Sequence, residues 1–187
     1  MVRLPSCFRL ASYIDLKICR QYRYETLVAL LFPETLPKPS KSLASHPLIV
    51  AEFSLMDQLA VQFLKTYQVW HHRRLIVSLT QQPRRELEFI KDSLESDSKN
   101  YHTWSYRQWI LAFFGGAGGG AGVAADTGDD TDTDGDLWDG ELDFVDSVLA
   151  RDFRNNSAWH HRYFVVWGCG VRNGEINRES VVHRELV

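Results

Sequence analysis

Three basic residues in this chain stand where a cation is electrostatically out of place. Lys65, Lys99 and Arg154 each come one residue before a good helix-capping residue, Thr66, Asn100 or Asn155. A cation just outside a helix N-terminus is disfavoured by the helix dipole, by about 0.3–1 kcal/mol when exposed. The same end attracts anions through free N–H groups and the dipole. A lysine beside such an end can help hold a diphosphate. A solvated connector residue is the plainer explanation of any one of them, and spacing does not choose among the three.

Other residues invite a metal. The stretch Asp130, Asp132, Asp134, Gly135, Asp136 and Glu141 fits an EF-hand calcium loop at each ligand position. An EF-hand needs a helix entering the loop, and here glycines precede it. Glu141 also occupies the place held by Glu86 in an earlier segment, so a solvated acidic insertion is the stronger reading. His71–His72 and His160–His161 are adjacent pairs. Neighbours on a helix diverge by about 100°, so neither pair chelates by itself. No zinc site is expected in this chain. Cys7, Cys19 and Cys169 are odd in number and lack C-x-x-C spacing, which points to a reducing, cytoplasmic setting. The glycines at 115–120 follow an apolar, helix-like stretch, the wrong side for cradling phosphate.

Composition narrows the class. The chain has 187 residues, 44% hydrophobic and 24% charged, enough for one domain with a core. Its net charge of -3 argues against nucleic acid or an anionic membrane as partner. No apolar run approaches the ~20 residues a spanning helix needs. The N-terminus has no clean apolar segment of a secretory signal.

The elements that position the basic residues form a repeat. "TYQVWHHRRLIV", "NYHTWSYRQWIL" and "NNSAWHHRYFVV" align on Trp70, Trp104 and Trp159, each with arginine three residues later: Arg73, Arg107 and Arg162. The first two tryptophans are 34 residues apart, and the third rejoins that period once a Gly/Ala/Asp tract, residues 115–135, is removed. Such a period marks an array of helical hairpins. Spacings of three and four put Trp and Arg on one helical face. Each copy follows an amphipathic stretch, at 51–65, 84–97 and 136–152. Pro83 suits a first helical turn. The expected fold is therefore all-α, an α-α superhelix of stacked hairpins. In it the Trp fills the seam between hairpins and the Arg ties one repeat to the next. Residues 51–187 form the array, and "INRESVVHRELV" reads as the start of a further hairpin. Residues 1–50 do not match. Five prolines there predict a poorly ordered segment with a short helix near 16–32.

These cores closely resemble consecutive repeats of the α subunit shared by protein farnesyltransferase and type I geranylgeranyltransferase, over 51–187 apart from the insertion. The chain reads as a fragment of such a subunit. The resemblance implies a crescent of hairpins around a β subunit that carries the catalytic zinc, with magnesium assisting the farnesyl reaction. It implies prenyl transfer from an isoprenoid diphosphate to the cysteine thiol of a CaaX-box protein. The functional lysine is then Lys99, in the K-N-Y segment, with Tyr101 and His102 facing the same pocket. The α subunit of Rab geranylgeranyltransferase shares the repeat type and is the alternative. A tetratricopeptide-like binding scaffold has the same period but not the Trp-x-x-Arg core.

Overall fold

The computed structural model describes residues 13–115 and 137–172, and the side chains of 20–115 and 137–166. All its regular elements are helical: α1 (Tyr13–Leu31), α2 (Pro47–Gln62), α3 (Tyr67–Thr80), α4 (Pro83–Ser96), α5 (Tyr101–Phe114), α6 (Glu141–Arg151) and α7 (Asn156–Arg172), with a short 3-10 helix at Lys41–Ser45. They fall into two compact units, residues 1–82 and 83–187.

In the first unit, α2 turns its 49, 53, 56 and 60 positions inward, a helical stripe of Ile49, Phe53, Met56 and Ala60. It meets Val69, Trp70, Ile76 and Val77 of α3, all buried. Removing one such aliphatic side chain from water contributes about 1.5–3 kcal/mol. Pro47 opens α2 and Pro83 opens α4, where a missing N–H costs nothing. The α3 helix stops at Gln81, in a left-handed turn with φ 54°.

The α1 helix, Tyr13–Leu31, lies close to the helix read from sequence at 16–32, and it packs on α3. The 3-10 helix seats against α2 and α3, and Ser40 N–H donates to Leu79 O at 2.9 Å. Arg20 and Arg23 keep the three-residue spacing that Trp and Arg have in the other copies. Arg23 Nε reaches Glu52 at 2.7 Å, as Arg107 reaches Glu141 in the second unit.

In the second unit, the hairpins α4–α5 and α6–α7 stack through α5 and α7. Ile90 and Leu94 face Ile110 and Leu111, and Val145 and Val148 face Ala158 and Val165, all buried. The seam reading holds for Trp104 and Arg107, whereas Trp159 is 39% exposed and Arg162 turns back to Asp146 of its own hairpin. Trp104 is 3% exposed and lies 6.0 Å from Phe144 and 4.9 Å from His161 of the next hairpin, ring centre to ring centre. Arg107 donates to Leu87 O at 3.0 Å within its own hairpin and forks onto Glu141 of the next. Its guanidinium also lies 3.9 Å over the Phe144 ring.

Candidate functional site

One hydrogen bond recurs at the start of each second helix. The indole Nε1 of Trp70 donates to Leu64 O, that of Trp104 to Ser98 O, and that of Trp159 to Phe153 O, each at 2.8 Å. The acceptor lies six residues before the Trp in every case. The next residue is the basic one: Lys65, Lys99 or Arg154. The tryptophan thus pins the peptide from which the cation projects, a role its spacing alone does not reveal.

The helix ends differ in detail. Asn100 Oδ1 accepts from His102 N and Thr103 N at 3.0 and 3.2 Å. Asn155 Oδ1 does the same for Ser157 N and Ala158 N. The N–H groups that would have met an anion are therefore largely taken by the protein's own caps. Thr66, expected to cap α3, makes no side-chain cap bond. Its helix starts instead from Val69 N–H to Thr66 O at 3.0 Å.

Lys99 is exposed, and its Nζ lies 2.8 Å from Asp152 Oδ2. The hydrogen bond from Lys99 holds the Asp152 carboxyl below its usual range, helped by Arg154 N–H. Tyr101 projects into solvent, 76% exposed, edge-on to the His102 ring at 5.6 Å between centres. The structure thus places the three expected residues along one helix start, with Lys99 held by a carboxylate. Phe153, Trp159 and Tyr163 add an aromatic surface at the same end of α7.

A second feature was missed by sequence reasoning. A cavity of about 270 Å³ in the first unit is lined by α1 and the first half of α3. Arg20 Nη2, Gln68 Oε1 and His72 Nδ1 line it buried and without a hydrogen-bond partner among the described residues. Burial lowers the pKa of Arg20, and the Glu52 charge opposes that. The signal was hidden because Arg20 occupies a Trp position.

Buried carboxylates organise both units. Glu52, Glu86 and Glu141 each pair with the residue 20 positions later: His72 at 2.7 Å, Tyr106 at 2.8 Å and His161 at 3.1 Å. Burial pushes the Glu141 carboxyl up, but His161 and Arg107 outweigh it and hold it below its usual value. Glu52 is held low in the same way by His72 and Arg23, against burial. Glu141 is thus occupied by a structural pair, which removes the twelfth ligand of the calcium reading. Asp130 to Asp136 lie outside the described residues, as does the expected further hairpin. Among the described residues no three His, Cys, Asp or Glu side chains are grouped to hold a metal ion, and no helix is long and apolar enough to cross a membrane.

The recurring Trp, Arg and Glu positions match a family model, the protein prenyltransferase alpha subunit repeat, over residues 49–80, 83–114 and 138–168. The chain belongs to that family. Among curated relatives, geranylgeranyl transferase type-2 subunit alpha of Rattus norvegicus is 34% identical over 131 residues, 69% of this chain and 19% of the relative. The Homo sapiens protein of the same name is 31% identical over 117 residues, 62% of this chain and 17% of the relative. The Dictyostelium discoideum protein farnesyltransferase/geranylgeranyltransferase type-1 subunit alpha is 59% identical over 29 residues, 16% of this chain and 9% of the relative. A solved structure, Candida albicans protein geranylgeranyltransferase-I complexed with GGPP, matches at TM-score 0.47 and 26% identity, covering 88% of this chain and 57% of that chain. The chain spans about a fifth of the length of the rat and mouse type-2 relatives it matches. The prenyltransferase repeats end within α7, and α1 lies ahead of the first match.

Proposed function

We propose that this chain supplies prenyltransferase α-subunit repeats to a heterodimeric CaaX protein prenyltransferase. The observation that carries the reading is the set of three loops pinned by tryptophan, each presenting a basic residue, in a chain of this family. The 29-residue stretch of 59% identity to a farnesyltransferase/geranylgeranyltransferase type-1 α subunit supports the CaaX class. The longer similarity to type-2 α subunits supports a second reading, in which the acceptor is a Rab protein presented by its escort.

In the first reading the substrate cysteine sulfur forms a bond to C1 of the isoprenoid as the C1–O bond breaks and diphosphate leaves. Zinc on the β subunit, when bound, supplies the activated thiolate. Lys99 stabilises the charge that grows on the leaving diphosphate. To do so its Nζ exchanges Asp152 for a phosphate oxygen. That exchange is inexpensive because the pair is exposed, and exposed ion pairs contribute little. Tyr101 and His102 contact the substrate beside it. Magnesium, when bound, would assist the farnesyl reaction by offsetting charge on the diphosphate.

The test is co-expression with a farnesyltransferase β subunit, co-purification and farnesyl transfer to a CaaX peptide. Activity is expected only in the pair, and Lys99→Ala should lower it at least about tenfold. Lys65→Ala, its counterpart in the preceding repeat, is measured alongside. A pair that modifies Rab with escort protein and ignores CaaX peptides would select the second reading. Turnover by the single chain would overturn both.

A further inference from the structure

The connection between α1 and α2 lies ahead of the first family match, which begins at residue 49. It is tied at both ends. Phe32 N–H donates to Val28 O at 2.8 Å, and Ser40 N–H donates to Leu79 O at 2.9 Å. Between these ties, residues 33–39 are all exposed. They make no hydrogen bond or ion pair among the described residues. Leu36 is 83% exposed, more than any other large apolar side chain among those residues. A lone exposed leucine needs no explanation. This one opens the stretch Leu36-Pro37-Lys38-Pro39, two successive X-Pro units. Each proline fixes its own φ near about −65°. Each also drives the residue before it into extended backbone. These four residues are therefore set as polyproline II, and Ser40 continues them in extended backbone at φ −154°. With about three residues per turn, Leu36 and Pro39 share one edge. Lys38 and Lys41, both exposed, make no ion pair among the described residues.

We infer that Leu36–Pro39 is a docking segment for a protein domain with an aromatic-lined groove and carboxylates at its rim. Aromatic faces accept the Leu36 and Pro39 edge, and the rim meets the two lysines. The conformation exists before binding and the flanking residues are already tied to α1 and α3, so little ordering entropy is lost. A purely anionic surface would use the lysines and leave Leu36 in water. The inference is independent of which protein accepts the prenyl group.

The experiment titrates the full chain into isotope-labelled polyproline-binding domains, a set of WW domains and profilin, and follows their groove resonances by NMR. At least one domain should saturate with a Kd below about 200 µM. Leu36→Ala, and Pro37→Gly together with Pro39→Gly, should each weaken it at least about tenfold. Lys38→Ala with Lys41→Ala should weaken it less and remove its salt dependence. Leu30→Ala, exposed but on α1, should leave it unchanged. Helical circular dichroism should be the same throughout. The inference is overturned if no domain of the set binds at that concentration. Binding that ignores Leu36 and the prolines, or that Leu30→Ala abolishes, also overturns it. So does binding that depends on the lysines alone. If the glycine variant disturbs the fold, Leu36→Ala, whose side chain touches little but solvent, carries the comparison.

Discussion

At the residue scale, His161 concentrates the chemistry of the core. It is buried, its Nε2 meets Glu141, and its Nδ1 finds no partner among the described residues. Burial lowers its pKa, the charges of Arg107 and His160 lower it further, and Glu141 pulls the other way. The neutral ring is therefore the folded form, donating Nε2–H to the carboxylate. An unfolded histidine takes up its proton near pH 6.5, before the folded one does. The unfolded chain then binds more protons, and stability falls as pH drops below about 6.5. Glu52 and Glu141, held low, add a further loss as pH drops below about 4.3. We expect the melting temperature to decline between pH 7 and 5, and His161→Gln to flatten that decline. An unchanged slope in the variant would show that another group governs the window. Much of this scale was legible. The Trp-to-Arg spacing and the equivalence of Glu86 and Glu141 were visible in sequence. The indole bonds were not, because Leu64, Ser98 and Phe153 accept through backbone oxygens that leave no mark on residue identity.

At the element scale, the hairpins were legible wherever a tryptophan marked them and hidden where one was absent. The α1 helix was read near 16–32 but not as part of the array, because Arg20 stands in place of that marker, although Arg23 meets Glu52 as Arg107 meets Glu141. Capping residues read alike in sequence yet behave differently in space. Asn100 closes two N–H groups of α5, whereas Thr66 closes none of α3 with its side chain. Asn100→Ala should therefore cost about 1 kcal/mol, within the range for lost caps, and Thr66→Ala only a few tenths. Chemical denaturation of the two variants measures the difference. Equal losses would mean that backbone geometry, rather than the side chain, closes these helices.

For the whole molecule, the insertion between the second and third matching repeats is joined at its base. Trp138 Nε1 donates to Gly115 O at 3.3 Å, and a Cβ on Gly115 would come within 2.6 Å of that nitrogen. The flanks of residues 116–136 thus meet through this pair. Replacing those residues by a short Gly-Ser linker should leave the melting temperature within about 3 °C of the parent, a change below 1 kcal/mol. A large drop would give the tract a packing role. The acidic tract's calcium-like pattern was legible only as letters; Glu141, its last member, belongs to the core through Arg107 and His161. That arginine points to a broader rule of lineage. Arg23 meets the glutamate of the following repeat, and Arg107 meets the glutamate of the repeat after its own. These two copies thus each carry half of a forward-facing joint, whereas Arg73 and Arg162 turn back to Asp57 and Asp146 of their own hairpins. A gene that gains or loses one whole period leaves Glu52 and Glu141 each with a base, whereas a break inside a period strands a buried charge. Duplication and deletion are thereby steered to whole periods.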